Sequence, residues 1–99
     1  MRTLLKITIP VEKGNQAIAD GSLPRILQQT LGSLKPEAAY FTTANGSRTA
    51  YIVFDLADSS QIPSIGEPLF SGFNAEIDFT PVMNQEDLMK GLVQAGLAG

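Results

Sequence analysis

The sequence predicts an α+β domain built on one four-stranded antiparallel sheet with helices on one face. Three observations carry this. Several segments alternate apolar and polar residues with period two, the mark of half-buried strands. The segments between them place apolar residues at three- and four-residue steps, the mark of amphipathic helices. The dipeptide Asn45-Gly46 separates two extended runs, where its tolerance of positive φ suits a tight hairpin. Ninety-nine residues, 43% of them hydrophobic, fill one core and leave no room for a second. The chain is therefore read as a single domain over 1–99, with 84–99 a C-terminal helical extension.

Thr3 to Ile9 sets Leu5, Ile7 and Ile9 against Leu4, Lys6 and Thr8, and Pro10 closes the strand by removing a ladder donor. From Asn15 the spacing turns helical, with Leu23, Ile26, Leu27, Thr30, Leu31 and Leu34 on one stripe. Gly21-Ser22-Leu23-Pro24 interrupts this helix, because an interior Pro costs about 3 kcal/mol or more. A kink is expected there, or a restart with Ser22 as N-cap.

Ala38–Thr43 and Arg48–Leu56 are the hairpin strands. A two-residue loop sets Ala38 opposite Val53, Tyr40 opposite Tyr51 and Phe41 opposite Ala50. Asp58 with Gln61 three residues on then caps a helix carrying Ile62, Ile65, Leu69 and Phe70, expected to be short because of Pro63 and Pro68. Ala75 to Pro81 alternates again, with Ile77 and Phe79 against Glu76, Asp78 and Thr80, unless a bulge reverses it. Asn84 and Asp87 cap a weak last helix with Leu88, Met89, Leu92 and Val93.

The order βαββαβ, with right-handed crossovers, gives a ferredoxin-like sheet of order 4-1-3-2 with both helices on one face. Leu5, Ile7, Ile9, Phe41, Ile52, Phe54, Ile77 and Phe79 are expected to meet the helices. The other face carries Leu4, Lys6, Thr8, Tyr40, Tyr51, Val53, Asp55, Glu76 and Asp78, too apolar for water alone and too polar for a dry core. A homodimer through that face is expected, since Leu4, Tyr40, Tyr51 and Val53 otherwise meet solvent.

A local pattern adds to this: Tyr51-Ile52-Val53-Phe54-Asp55, then Pro68-Leu69-Phe70, then Ile77-Asp78-Phe79-Thr80-Pro81. In these stretches the chain resembles the muconolactone isomerase-like barrels of the dimeric α+β barrel superfamily. The resemblance implies two ferredoxin-like sheets packed face to face around a cleft. The superfamily also holds haem-degrading enzymes, antibiotic-biosynthesis monooxygenases and stress-responsive barrels, and many small members of unknown function.

Composition narrows the chemistry. His and Cys are both absent, which removes imidazole bases, thiol nucleophiles, disulfides and nearly every zinc or haem site. Ser22, Ser59 and Ser60 are caps, with no His to activate them. Seven basic against ten acidic residues leave no block that could neutralise phosphates, so neither nucleic acid nor membrane is an expected partner. MRTLLKITIP carries no secretory pattern, and a cytoplasmic location is expected. No cofactor is implied. Asp55, Asp58, Glu76 and Asp78 offer carboxylates for Mg²⁺ or Ca²⁺, but the loop signature of either ion is missing and no metal site is assigned.

The expected site lies on the open sheet face, bounded by Lys6, Tyr40, Tyr51, Glu76 and Asp78. Lys6 is expected among Glu76, Asp78 and Asp55, and Tyr40 is expected to stack on Tyr51. Two functions compete. The first is binding of a small, flat, partly apolar ligand without chemistry. The second is proton transfer on a lactone or enolisable carbonyl, with Glu76 or Asp78 as base and Lys6, Tyr40 or Tyr51 as electrophile. A structural or interaction protein, whose carboxylates and Lys6 merely hold a dimer in register, is the third reading.

Overall fold

The computed structural model describes residues 1–99. Strand β1 (Arg2–Ile9) leads through Pro10 into α1 (Val11–Ala19) and α2 (Ser22–Leu34). The hairpin β2 (Ala38–Ala44) and β3 (Ser47–Asp55) follows. A single 3-10 turn (Ser59–Gln61) then runs into α3 (Ile62–Phe73), β4 (Glu76–Pro81) and α4 (Gln85–Gln94). The antiparallel sheet has the order β2-β3-β1-β4, the expected arrangement read from its other edge. The α+β architecture with four antiparallel strands is compatible with a ferredoxin-like fold.

The hairpin turns where Asn45-Gly46 places it. Both residues hold positive φ, 52° and 80°, and Ala44 pairs with Ser47, so Tyr40 falls opposite Tyr51 and Phe41 opposite Ala50. Strand β1 pairs with β3 from Arg2↔Asp55 to Ile9↔Arg48. It pairs with β4 from Thr3↔Pro81 to Thr8↔Glu76, in unbroken register, so no bulge reverses β4.

Alternation sorts the sheet into two faces. Leu5, Ile7, Ile9, Ala50, Ile52 and Phe54 are buried together with Ala17 of α1 and with Leu69 and Phe73 of α3. Leu23, Ile26, Leu27 and Leu31 of α2 pack against this core from the same side. Phe54 and Phe79 meet edge to face at 6.5 Å between ring centroids. Thr3, buried among the apolar residues, satisfies its hydroxyl by donating to the Met1 carbonyl at 3.0 Å.

Three helical details differ from expectation. The first helix begins at Val11, not Asn15, because Pro10 occupies the cap position, where a missing N–H costs nothing. Gly14 is buried where α1 approaches the sheet, and a Cβ there would stand 2.5 Å from Arg48 Nη1 and 3.2 Å from Ile9 Cγ2. The interruption is a full restart: Gly21 takes the left-handed conformation at the cap of α2, φ 78°, and Ser22 is the first helical residue rather than the cap. Helix α3 runs for 12 residues despite its prolines. Pro63 falls in its first turn, and Pro68 forfeits one backbone bond while Leu69 and Phe73, both fully buried, hold the helix on the sheet.

One core expectation is corrected at the sheet edge. Phe41 does share the helix-facing side, but it remains 54% exposed because β2 is the outer strand and reaches past the helices.

Candidate functional site

The face turned away from α1, α2 and α3 carries the residues singled out in the sequence. Register places four of them in one row across all four strands: Tyr40 on β2, Tyr51 on β3, Lys6 on β1 and Asp78 on β4. Adjacent strands lie about 4.8 Å apart, so the row is about 14 Å long. Glu76 stands in the next row towards the hairpin turn, behind Thr42, Thr49 and Thr8. On the other side, the apolar Ala38, Val53 and Leu4 form a row that ends in the exposed Thr80. The strand alternation that buries Leu5, Ile7 and Ile52 thus gathers all five expected residues on one surface.

Lys6 is half-buried between its two register partners, and its ammonium stands 6.0 Å from the centroid of the Tyr51 ring. It makes no ion pair, since the three ion pairs present all involve Met1 or Arg2. Glu76 and Asp78 are exposed.

Asp55 does not join Lys6. It lies opposite Arg2 at the far end of the ladder, about 13 Å along the strand, and accepts from the N-terminal ammonium at 2.6 Å. Asp58 sits at the start of the 3-10 turn, and no three carboxylates come close enough to hold an ion.

Tyr40 and Tyr51 are opposite each other but are not a stacked pair; Phe54 and Phe79 form the aromatic contact of the chain. A two-residue turn closes with a hydrogen-bonded pair, so every second pair along the hairpin, including Tyr40 and Tyr51, belongs to the wider class whose side chains stand further apart. The Tyr51 ring faces Lys6 instead, and Tyr40 is left 71% exposed.

At the end of the sheet where β1 begins, Arg2 projects on the same open side. Its Nε donates to Glu37 at 2.5 Å and its Nη1 to Asp87 of α4 at 2.9 Å. Hydrogen bonding and charge from Glu37, then from Asp87, raise the guanidinium's pKa above its ordinary value.

A concavity of about 530 Å³ opens where β1 begins and α4 is rooted, against Met1, Arg2, Pro81, Val82, Met83 and Asp87. Two smaller ones lie on the helix side of the sheet. One, of about 200 Å³, is lined by Ile9, Leu23, Leu27, Phe41, Ala50 and Arg48, whose Nη2 donates to Asn15 Oδ1 at 3.0 Å. Another, of about 300 Å³, lies between α3 and β4, against Ile62, Phe70, Ile77 and Phe79. Sequence reasoning missed all three, and the two smaller ones left a signal. Their signal was the edge position of β2 and β4, whose helix-facing side chains three short helices cannot cover.

Comparison with protein-family models, with curated proteins and with solved structures finds no match to this chain.

No helix is long and apolar enough to cross a membrane. The open face is a shallow surface, with an ammonium, two tyrosines and two carboxylates over about 14 Å. Such a surface can hold a flat molecule against Tyr51 and Lys6, and enclosing it takes a second wall.

Proposed function

We propose that the protein is a small-molecule-binding homodimer of ferredoxin-like domains, a dimeric α+β barrel, with its ligand held between two open sheet faces. The observation that carries this reading is the row Tyr40–Tyr51–Lys6–Asp78, which crosses all four strands on a face no helix covers. Tyr51 and Tyr40 supply flat apolar surface and hydroxyls, and Lys6, free of an ion pair, supplies a donor for a carbonyl or carboxylate. The ligand class is a flat, partly apolar molecule with at least one oxygen acceptor.

The test is a panel of lactones and enolisable ketones, read for binding through tyrosine emission and for turnover by product analysis. Binding without turnover, weakened about tenfold or more in Lys6→Met and Tyr51→Ala, is the expected result, equivalent to ~1.4 kcal/mol. Absence of binding by every member contradicts it.

The register pairing of Lys6 with Asp78 favours one second reading, proton transfer next to a carbonyl. Asp78, or Glu76 beside it, takes the proton from carbon and returns it to another carbon, while the Lys6 ammonium stabilises the enolate between the two steps. Turnover abolished by Asp78→Asn or Glu76→Gln selects this reading over simple binding. A purely structural role predicts an interface with no room for any ligand.

A further inference from the structure

Helix α4 is the part of the chain that the fold leaves without a surface. It carries Leu88, Met89, Leu92 and Val93 on one stripe, and Leu88, Met89 and Val93 are 44%, 47% and 53% exposed, with Met83 before the helix and Leu97 after it more exposed still. Its capping is complete: the Asn84 side chain accepts from Asp87 N at 2.8 Å, and Asp87 Oδ2 accepts from Asn84 N at 3.1 Å. Ten residues are nevertheless fewer than the roughly 12–15 at which isolated helices become even marginally stable in water. The chain measures 55 × 28 × 17 Å, and its radius of gyration of 15.8 Å exceeds the roughly 12.6 Å of a compact chain of this length.

We infer that α4 is an exchanged arm: in the homodimer each copy lays the Leu88–Met89–Leu92–Val93 stripe on the other copy, beside the open sheet face. The inference rests on the reading of that face as a dimer interface. Arg2 links the two surfaces, because it projects on the open side of β1 and binds Asp87 in the first turn of α4. Whatever covers the open face therefore stands next to the root of the arm.

The area argues for a second copy. Four strands of six to nine residues give the open face a footprint of about 480 Å², from strand spacing and rise. A stable interface takes about 800 Å² from each partner. An arm of ten residues is about 15 Å long and about 10 Å across, so giving one arm and receiving another brings each copy about 300 Å² more. A two-fold pair supplies both exposed surfaces with the same partner, each copy offering what the other lacks.

The test compares the wild-type chain with the doubly substituted chain Met89→Glu/Val93→Glu by sedimentation equilibrium. Both positions are exposed, so the protomer fold is untouched. The expected result is a wild-type dimer whose Kd rises tenfold or more in the variant. A wild-type dimer with unchanged Kd in the variant overturns the arm and leaves the sheet-face dimer standing. A wild-type monomer at tens of micromolar overturns both. Hydrogen exchange of the unsubstituted chain gives a second readout: α4 amides are expected to be protected when the chain is dimeric and to lose protection on dilution. Unprotected α4 amides in a fully dimeric sample overturn the arm.

Discussion

Lys6 and Tyr51 are register partners on the two central strands, and the Lys6 ammonium stands 6.0 Å from the centroid of the Tyr51 ring. The contact ties the charged centre of the open face to its aromatic half. At 6.0 Å, the outer limit of such contacts, this cation–π pair is worth about 0.5–1 kcal/mol, too little to matter much to folding. Lys6→Met is therefore expected to shift the stability of the folded chain by less than about 1 kcal/mol in urea unfolding. A large loss of stability would place Lys6 in a structural role.

The core has a sharp inner edge on α3. Phe73 is fully buried between helix and sheet, whereas Phe70, one turn earlier, is 44% exposed at the rim of the β4 groove. Phe73→Ala is expected to cost about 3–5 kcal/mol, because it removes a large buried ring and leaves a cavity. Phe70→Ala is expected to cost far less. Chemical denaturation of the two variants side by side measures the difference.

The sheet was legible in the sequence and the helix ends were not. Asn45-Gly46 determines the hairpin register, and strict alternation in β1, β3 and β4 turns Lys6, Tyr51 and Asp78 to one side, so the candidate row follows from local rules. Val11 to Gly14 lacks an apolar repeat, so α1 was not expected so early. It forms there because Pro10 serves the cap and Gly14 lets the helix close on Arg48 and Ile9. Prolines 63 and 68 suggested a short α3, yet the burial of Leu69 and Phe73 outweighs one lost hydrogen bond. Expecting Asp55 beside Lys6 failed for a different reason. Shared face is set by parity, but position along the strand is set by register, and there Asp55 meets Arg2 and the N-terminus.

Asp20 ends α1 and accepts from Ser22 N at 2.8 Å, and hydrogen bonds from the Ser22 hydroxyl and then its backbone hold the carboxyl below its ordinary pKa. A carboxyl lowered in the folded state adds stability above its unfolded pKa of about 3.9 and loses it as pH falls through the folded value. Asp20→Asn is expected to make stability fall less steeply below about pH 4 than in the parent. Urea midpoints at pH 6 and pH 3 compare the two slopes.

Asn84 caps a helix that little else in the chain supports. Asn84→Ala is expected to cost about 1 kcal/mol of helix stability. In the dilute chain this appears as lost helical signal in far-ultraviolet circular dichroism, with the main unfolding midpoint unchanged because the core lies elsewhere. A fall in that midpoint would show α4 to be part of the cooperative core.

The central claim is that a second copy covers the open face, and the chain carries its own reporter. Its aromatic emission comes from two tyrosines, with no tryptophan to mask them, and both stand in the row that the partner is proposed to cover. Acrylamide quenching of tyrosine emission, followed from nanomolar to tens of micromolar protein, is expected to fall as Tyr40, 71% exposed in the protomer, passes under the partner's sheet. Quenching that stays equally strong across the whole range, in samples shown to be dimeric at the upper end, would contradict the account.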